Sequence, residues 1–190
     1  MKNERLLGFV RSFSSFLAVD RSEPAILVEG ARLLASLVEQ DDWLQEEFAR
    51  PDPTFYQQYL LYADPLERFS MVSFVWGPGQ KTPVHDHMTW GLIGMLRGQE
   101  LDTRFHLQAD GSLKPGETRI LAPGQVAYVS PATHDVHQVA NYYSDQTSIS
   151  IHVYGGNIGR ISRHVFDPST GTPKTFISGY GNDVVPNLWR

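Results

Sequence analysis

Cysteine is absent from this 190-residue chain. Disulfides and thiolate metal sites are therefore excluded, and any transition-metal site has to use His, Asp or Glu. Positive charge is also scarce: 16 Lys and Arg stand against 21 Asp and Glu, a formal net charge of −5, with no basic block. That argues against nucleic acid and against an anionic membrane as partners. No apolar run approaches the length of a membrane span. The N-terminal "MKNERLLGFVRSFSSFLAVD" has its apolar residues interrupted by Arg11 and several serines, which is not a secretory h-region. Repeats and low-complexity segments are missing too. What remains, 41% hydrophobic and 12% aromatic, is an ordinary globular composition, long enough to bury a sizeable core. The expected compartment is the cytoplasm.

Two regimes follow one another. In "EPAILVEGARLLASLVEQ", Ile26, Leu27, Leu33, Leu34, Leu37 and Val38 fall on one helical face, and Pro24 suits the first turn. "DDWLQEEFAR" predicts a second short helix, capped by Asp41 or Asp42 and stopped by Pro51, and "PTFYQQYLLY" is a candidate third. After "ADPLER" the pattern changes to short aromatic and β-branched segments: "FSMVSFVWG", "WGLIGMLRG", "QELDTRFHL", "TRILAPG", "QVAYVSP", "HQVANY" and "SISIHVYGG". Gly, Pro, Asn and Asp punctuate them, which indicates an all-β barrel or sandwich. Asp110-Gly111 in "LQADGSLK" reads as a hairpin turn. The expectation is one structural domain, with a helical region over residues 1–66 packed on a barrel over residues 67–190.

The chain has seven histidines: His85, His87, His106, His134, His137, His152 and His164. "PVHDHMTWG" sets His85 and His87 two apart. On an extended strand such residues point to the same side, about 7 Å apart at Cα, so both imidazoles can reach one ion. Around them, Gly79, Gly91 and Gly98 resemble the spacing of the first cupin motif, except that Gly91 stands where that motif has Glu. "HQVAN" resembles the end of the second motif, which is His, three residues, Asn, with His137 as ligand and Asn141 closing it; His134 is a rival third ligand. Without the acid, three neutral imidazoles leave the full charge on the metal, which favours an anionic ligand such as a thiolate. Zinc accepts three histidines as well as iron does.

In "SISIHVYGG", Ile149, Ile151 and Val153 alternate with Ser150, His152 and Tyr154. One reading is an edge strand with a wet polar face. The other turns Ser, His and Tyr inward, where they would have to satisfy one another by hydrogen bonds. A Ser-His hydrolase is the weaker chemistry, because no nucleophile elbow surrounds Ser150.

Through "HDH", "HQVAN" and "SISIHVY", the chain resembles the thiol dioxygenases, the cysteine dioxygenase branch of the cupins, over roughly residues 54 to 166. The resemblance implies a mainly β cupin barrel of jelly-roll type and one Fe(II) per chain held by His85, His87 and His137. It implies Ser150, His152 and Tyr154 as a catalytic relay, and a small thiol and O2 as reactants, giving a sulfinic acid. "YQQYL" places Gln58 where the animal enzymes have an arginine. That is similar to the bacterial 3-mercaptopropionate subgroup, which also carries an arginine after the Tyr-Gly segment; Arg163 is the match and Arg160 the fallback. A cysteine–tyrosine crosslink is impossible here, so Tyr154 is expected as a free phenol. Cysteine as substrate, another three-His cupin enzyme, and a non-catalytic ligand-binding cupin remain as alternatives.

Overall fold

The computed structural model describes residues 3–189. Two helices come first, α1 (Glu4–Phe16) and α2 (Glu23–Val38). Eleven strands follow: β1 (Gln57–Ala63), β2 (Phe69–Trp76), β3 (Val84–His85), β4 (Gly91–Arg97), β5 (Glu100–Leu107), β6 (Leu113–Leu121), β7 (Val126–Val129), β8 (His137–Asn141), β9 (Ser148–Gly155), β10 (Arg163–Phe166) and β11 (Pro173–Phe176). They form a five-stranded sheet in the order β1-β2-β9-β4-β7 and a six-stranded sheet in the order β11-β10-β3-β8-β5-β6. The mainly β, cupin-like fold expected from sequence is present. Its two sheets lie face to face and are not closed into one hydrogen-bonded barrel.

Period-two alternation explains how the layers stack. Along β2, Phe69, Met71 and Val75 join a core that includes Phe13 of α1 and Leu34 of α2, while Val72, Phe74 and Trp76 face the space between the sheets. β9 does the same: Ile149, Ile151 and Val153 pack under the helices. Each such buried apolar side chain contributes roughly 1.5–3 kcal/mol. β9 is flanked by β2 and β4 and is not an edge, so the wet-face reading of "SISIHVY" falls and its polar face is interior. α2 can sit this close because β4 has Gly94: a Cβ there would lie 2.8 Å from Leu34 and 3.0 Å from Val38.

Two local expectations fail. "DDWLQEEFAR" forms only a 3-10 turn at Glu46–Phe48. Trp43 and Phe48 are both buried in the helix-side core, and Trp43 Nε1 donates to Leu37 O at 3.1 Å. A helix this short is marginal alone, and two core anchors override it. "PTFYQQYLLY" supplies β1, antiparallel to β2, in place of a helix. Its register shifts between Leu60 and Tyr62, a bulge that hides the period-two signal. The Asp110-Gly111 turn is where the sequence puts it, with Gly111 at φ 86° between β5 and β6.

Candidate active site

β3 is two residues long, and it sits between β10 and β8 so that His85 is the cross-strand partner of His137. His87 follows just past the end of β3. The three rings make a nearly equilateral triangle, with centroids 4.8, 4.8 and 4.9 Å apart. One ring nitrogen from each falls within 4.8 Å of the other two, and all three side chains are buried.

What aims them is a set of three acceptors. His85 Nδ1 is 3.1 Å from Pro83 O. His87 Nδ1 is 2.8 Å from Asp135 Oδ2, which also accepts from the His87 backbone N–H at 3.0 Å. His137 Nδ1 is 2.6 Å from Asp102 Oδ1. An acceptor at each Nδ1 puts the proton there and leaves the Nε2 lone pair free. Burial, then the neighbouring His137, pushes His85 down to about 3. Burial, then His85, pushes His87 well below its ordinary value. Both are therefore neutral at physiological pH. His137 Nε2 is buried with no hydrogen-bond partner. Orphaned buried nitrogens are rare, and a metal ion at the centre of this triangle gives that lone pair its partner. The residues fit the iron that the sequence resemblance implies.

His134, the rival ligand, is exposed on the turn before β8 with φ 53°, outside the triangle. Asn141 ties the far end of β8 by donating to Trp76 O and Gly77 O at 3.0 and 2.9 Å. Gly91 has a packing reason as well as an electronic one. It pairs with Tyr154 across β4 and β9, and a Cβ at 91 would lie 2.8 Å from the Tyr154 ring and 2.9 Å from Val129. No carboxylate side chain can occupy that place while Tyr154 keeps its position.

Ser150, His152 and Tyr154 are brought together as a hydrogen-bonded chain. Ser150 Oγ is 2.8 Å from His152 Nε2, and His152 Nδ1 is 2.7 Å from the Tyr154 hydroxyl. His152 is stacked on Phe74 with centroids 4.1 Å apart. Burial, then His137, holds it neutral. Burial pushes the Tyr154 phenol up, so it keeps its proton. The Tyr154 ring lies 5.6 Å from the His87 ring.

The three histidines of the triangle, His152 and Tyr154 line a cavity of about 260 Å³, together with Tyr56, Gln58 and Arg163. Tyr56 and Gln58 come from one face of the β1 segment. Arg163, on β10, is buried. Its Nη2 donates to Ser178 Oγ at 2.7 Å, its guanidinium lies 4.7 Å from the Phe176 ring centre, and its Nε has no partner. Burial lowers its pKa, opposed by the nearby tyrosines. No carboxylate lies within ion-pair distance of it among the described residues. Arg160, the fallback, is exposed and paired loosely with Glu67 at 3.7 Å. Sequence reasoning missed Asp102, Asp135 and Trp76, whose Nε1 donates to Ser150 Oγ at 3.1 Å. Asp135, two residues before His137, was the one within sight.

The family model for cysteine dioxygenase type I matches residues 21–167. A cysteine dioxygenase type 1 from Danio rerio is 26% identical over 191 residues, covering 95% of this chain and 90% of its own. One from Homo sapiens is 25% identical over 189 residues, with 95% and 90% covered. Among solved structures, a cupin superfamily protein from Desulfitobacterium hafniense DCB-2 is similar at TM-score 0.43 and 17% identity, over 65% of this chain and 88% of that one.

Two measurements check the site. His137→Ala weakens iron binding by at least about 10–100-fold in a chelator competition, whereas His134→Ala binds as wild type; the reverse pair of results would make His134 the ligand. The metal-free protein loses stability in acid. Three histidines, His85, His87 and His152, take up protons when unfolded near the ordinary value of 6.5, and in the native state only far below it, at about 3 for His85. Their neutral burial is tolerated above the unfolded pKa and penalised as pH falls through it. Glu100, pushed up to about 8, and Asp135, also raised by burial, pull the other way, with two protons against three. Urea denaturation at about pH 7 and about pH 5 should give the lower midpoint in acid; equal midpoints contradict the buried neutral rings.

Proposed function

The chain belongs to the cysteine dioxygenase type I family, iron thiol dioxygenases that add both atoms of O2 to a thiol sulfur, and we propose that its substrate is 3-mercaptopropionate, converted to 3-sulfinopropionate. The observation that carries this is Arg163, a buried guanidinium without an anionic partner at the wall of the cavity. A buried unpaired cation is costly, by several kcal/mol, and a substrate carboxylate relieves it with a charge-assisted hydrogen bond. Gln58 lines the same cavity and offers an amide donor without a second positive charge.

The same cavity argues against the amino group of cysteine. Its lining contains two cations, Arg163 and Lys174, and no Asp or Glu among the described residues. An ammonium entering there has no counter-charge and faces like charges. 3-Mercaptopropionate presents a thiol at one end and a carboxylate at the other, with only methylenes between. Ile93, Val139 and Val165 in the cavity lining offer apolar surface for those methylenes. The alternative is L-cysteine, after which the Danio rerio and Homo sapiens relatives are named.

Each residue then has a task. His85, His87 and His137 hold the iron. Iron(II), when bound, supplies the site at which thiolate and O2 are brought together and sulfur is carried to the sulfinic level. Arg163 and Gln58 grip the carboxylate and so fix where the sulfur sits. Tyr154, steadied by His152 and Ser150, offers its hydroxyl to the reacting end of the substrate. Phe74, Trp76 and Tyr56, stacked on one another, keep that end dry.

Oxygen-electrode assays with iron-loaded protein decide the substrate. kcat/KM for 3-mercaptopropionate should exceed that for L-cysteine by about tenfold or more, and equality or reversal would overturn the preference. Arg163→Gln should raise KM for 3-mercaptopropionate about tenfold or more, the worth of a charge-assisted hydrogen bond, with a smaller change in kcat. An unchanged KM would remove Arg163 from the carboxylate site.

A further inference from the structure

Gln58 and Arg163, which come from different sheets, are both held from behind by one stretch of chain, residues 173–182. Within it, β11 pairs Phe176 with Arg163, and the guanidinium lies 4.7 Å from the Phe176 ring centre. Two residues on, the half-buried Ser178 accepts from Arg163 Nη2 at 2.7 Å through its Oγ. Among the described residues this is the one hydrogen bond of that guanidinium, whose Nε has no partner. Beyond Ser178 the tail is latched. Gly179 N–H donates to Gly159 O at 3.1 Å, and Gly181 N–H donates to Gln58 O at 2.8 Å. The Tyr180 hydroxyl accepts from Gly159 N–H at 2.9 Å and donates to Asn157 Oδ1 at 2.6 Å. Asn182 Oδ1 accepts from Leu60 N–H at 2.7 Å, and its Nδ2 donates to Leu60 O at 3.0 Å. β1 and β11 are edges of the two sheets. The tail joins those edges, and Ser178 is fixed from both sides.

We propose that Ser178 is a positioning residue that determines specificity: by pinning the Arg163 guanidinium it sets the length of mercapto acid that the cavity accepts. This rests on Arg163 as the partner of the substrate carboxylate. The backbone of Arg163 already has a set place relative to the histidine triangle. Val165, two residues on, pairs with His85. His164 N–H donates to Asp86 Oδ1 at 2.8 Å, and Asp86 N–H donates to His164 O at 3.1 Å, so the residue between His85 and His87 grips the neighbour of Arg163. What is left to vary is the arginine side chain.

Arginine is among the side chains with most rotamer freedom to lose. Left free, it can follow a carboxylate to different depths and so serve acids of different length. Held between a serine and a ring, it cannot. Its ordering is then complete before the substrate arrives, which favours binding. The span from the histidine triangle to the guanidinium becomes fixed, and the number of methylenes between sulfur and carboxylate has to match it. A misplacement of about 1 Å is enough to cost a reaction about a hundredfold, and one methylene more or less moves the sulfur by about as much.

Calorimetry on Zn(II)-loaded protein measures binding without turnover, with mercaptoacetate, 3-mercaptopropionate and 4-mercaptobutyrate as titrants. Wild type should bind one of the three, 3-mercaptopropionate on the substrate proposed above, about tenfold or more tighter than the others. Ser178→Ala should weaken that acid about fivefold and narrow the spread among the three to about threefold or less. The double variant Arg163→Gln, Ser178→Ala should bind no more weakly than Arg163→Gln alone, because the serine acts through the arginine; a general loosening of the fold would add a further loss. In iron-loaded protein, kcat/KM across the same acids should narrow in parallel. A Ser178→Ala protein with the wild-type spread, a wild type with no length preference, or a further loss in the double variant overturns the proposal. If Arg163→Gln binds all three acids as wild type does, the carboxylate site is elsewhere and the role of Ser178 falls with it. A wild type that prefers another length overturns 3-mercaptopropionate as substrate, and the spread in Ser178→Ala still decides the role of Ser178.

Discussion

The site depends first on three hydrogen bonds at the back of three imidazoles. Pro83 O, Asp135 and Asp102 each occupy an Nδ1. Without them a buried neutral histidine has two tautomers, and only one leaves Nε2 as a ligand. With them, three lone pairs share one centre before any metal arrives. The two acids also change the electrostatics. The imidazoles themselves are neutral ligands, but two carboxylates sit behind them at His87 and His137, and Arg163 lines the cavity on which the rings open. The metal's charge is thus met partly by acids that do not touch it. An open side stays available to an anion.

That arrangement answers why the acid of the first cupin motif is replaced by Gly91. The place is already filled: the Tyr154 ring lies against the backbone of β4, where any Cβ would meet it at 2.8 Å. Ligand set and relay are therefore one packing decision. A phenol beside the metal and a carboxylate on it compete for the same volume, and this chain has taken the phenol. β9 makes the choice possible. Its even-numbered residues build the relay while its odd-numbered residues hold the sheet under α1 and α2. The helices supply the apolar cover that lets both faces of β9 be buried.

Much of this was legible in the sequence, because local spacing carried it. His85 and His87 share a short segment, His137 and Asn141 share β8, and Ser150, His152 and Tyr154 share one face of β9, so period-two arithmetic was enough. What it could not reach were partners fixed by cross-strand register. Asp102 meets His137 only because β5 pairs with β8, and Trp76 meets Ser150 only because β2 pairs with β9. β1 was missed because its bulge breaks the alternation. The "DDWLQEEFAR" segment was missed because Trp43 and Phe48 are pulled into the core regardless of its helical caps.

The central claim is that His85, His87 and His137, and no carboxylate, hold the iron through Nε2. X-ray absorption at the iron edge of the loaded, substrate-free protein tests it most directly. The account predicts the outer-shell scattering of three imidazole rings per iron, reduced to two in His137→Ala. Two rings in the wild type, or a carboxylate in the place of one of them, would contradict it.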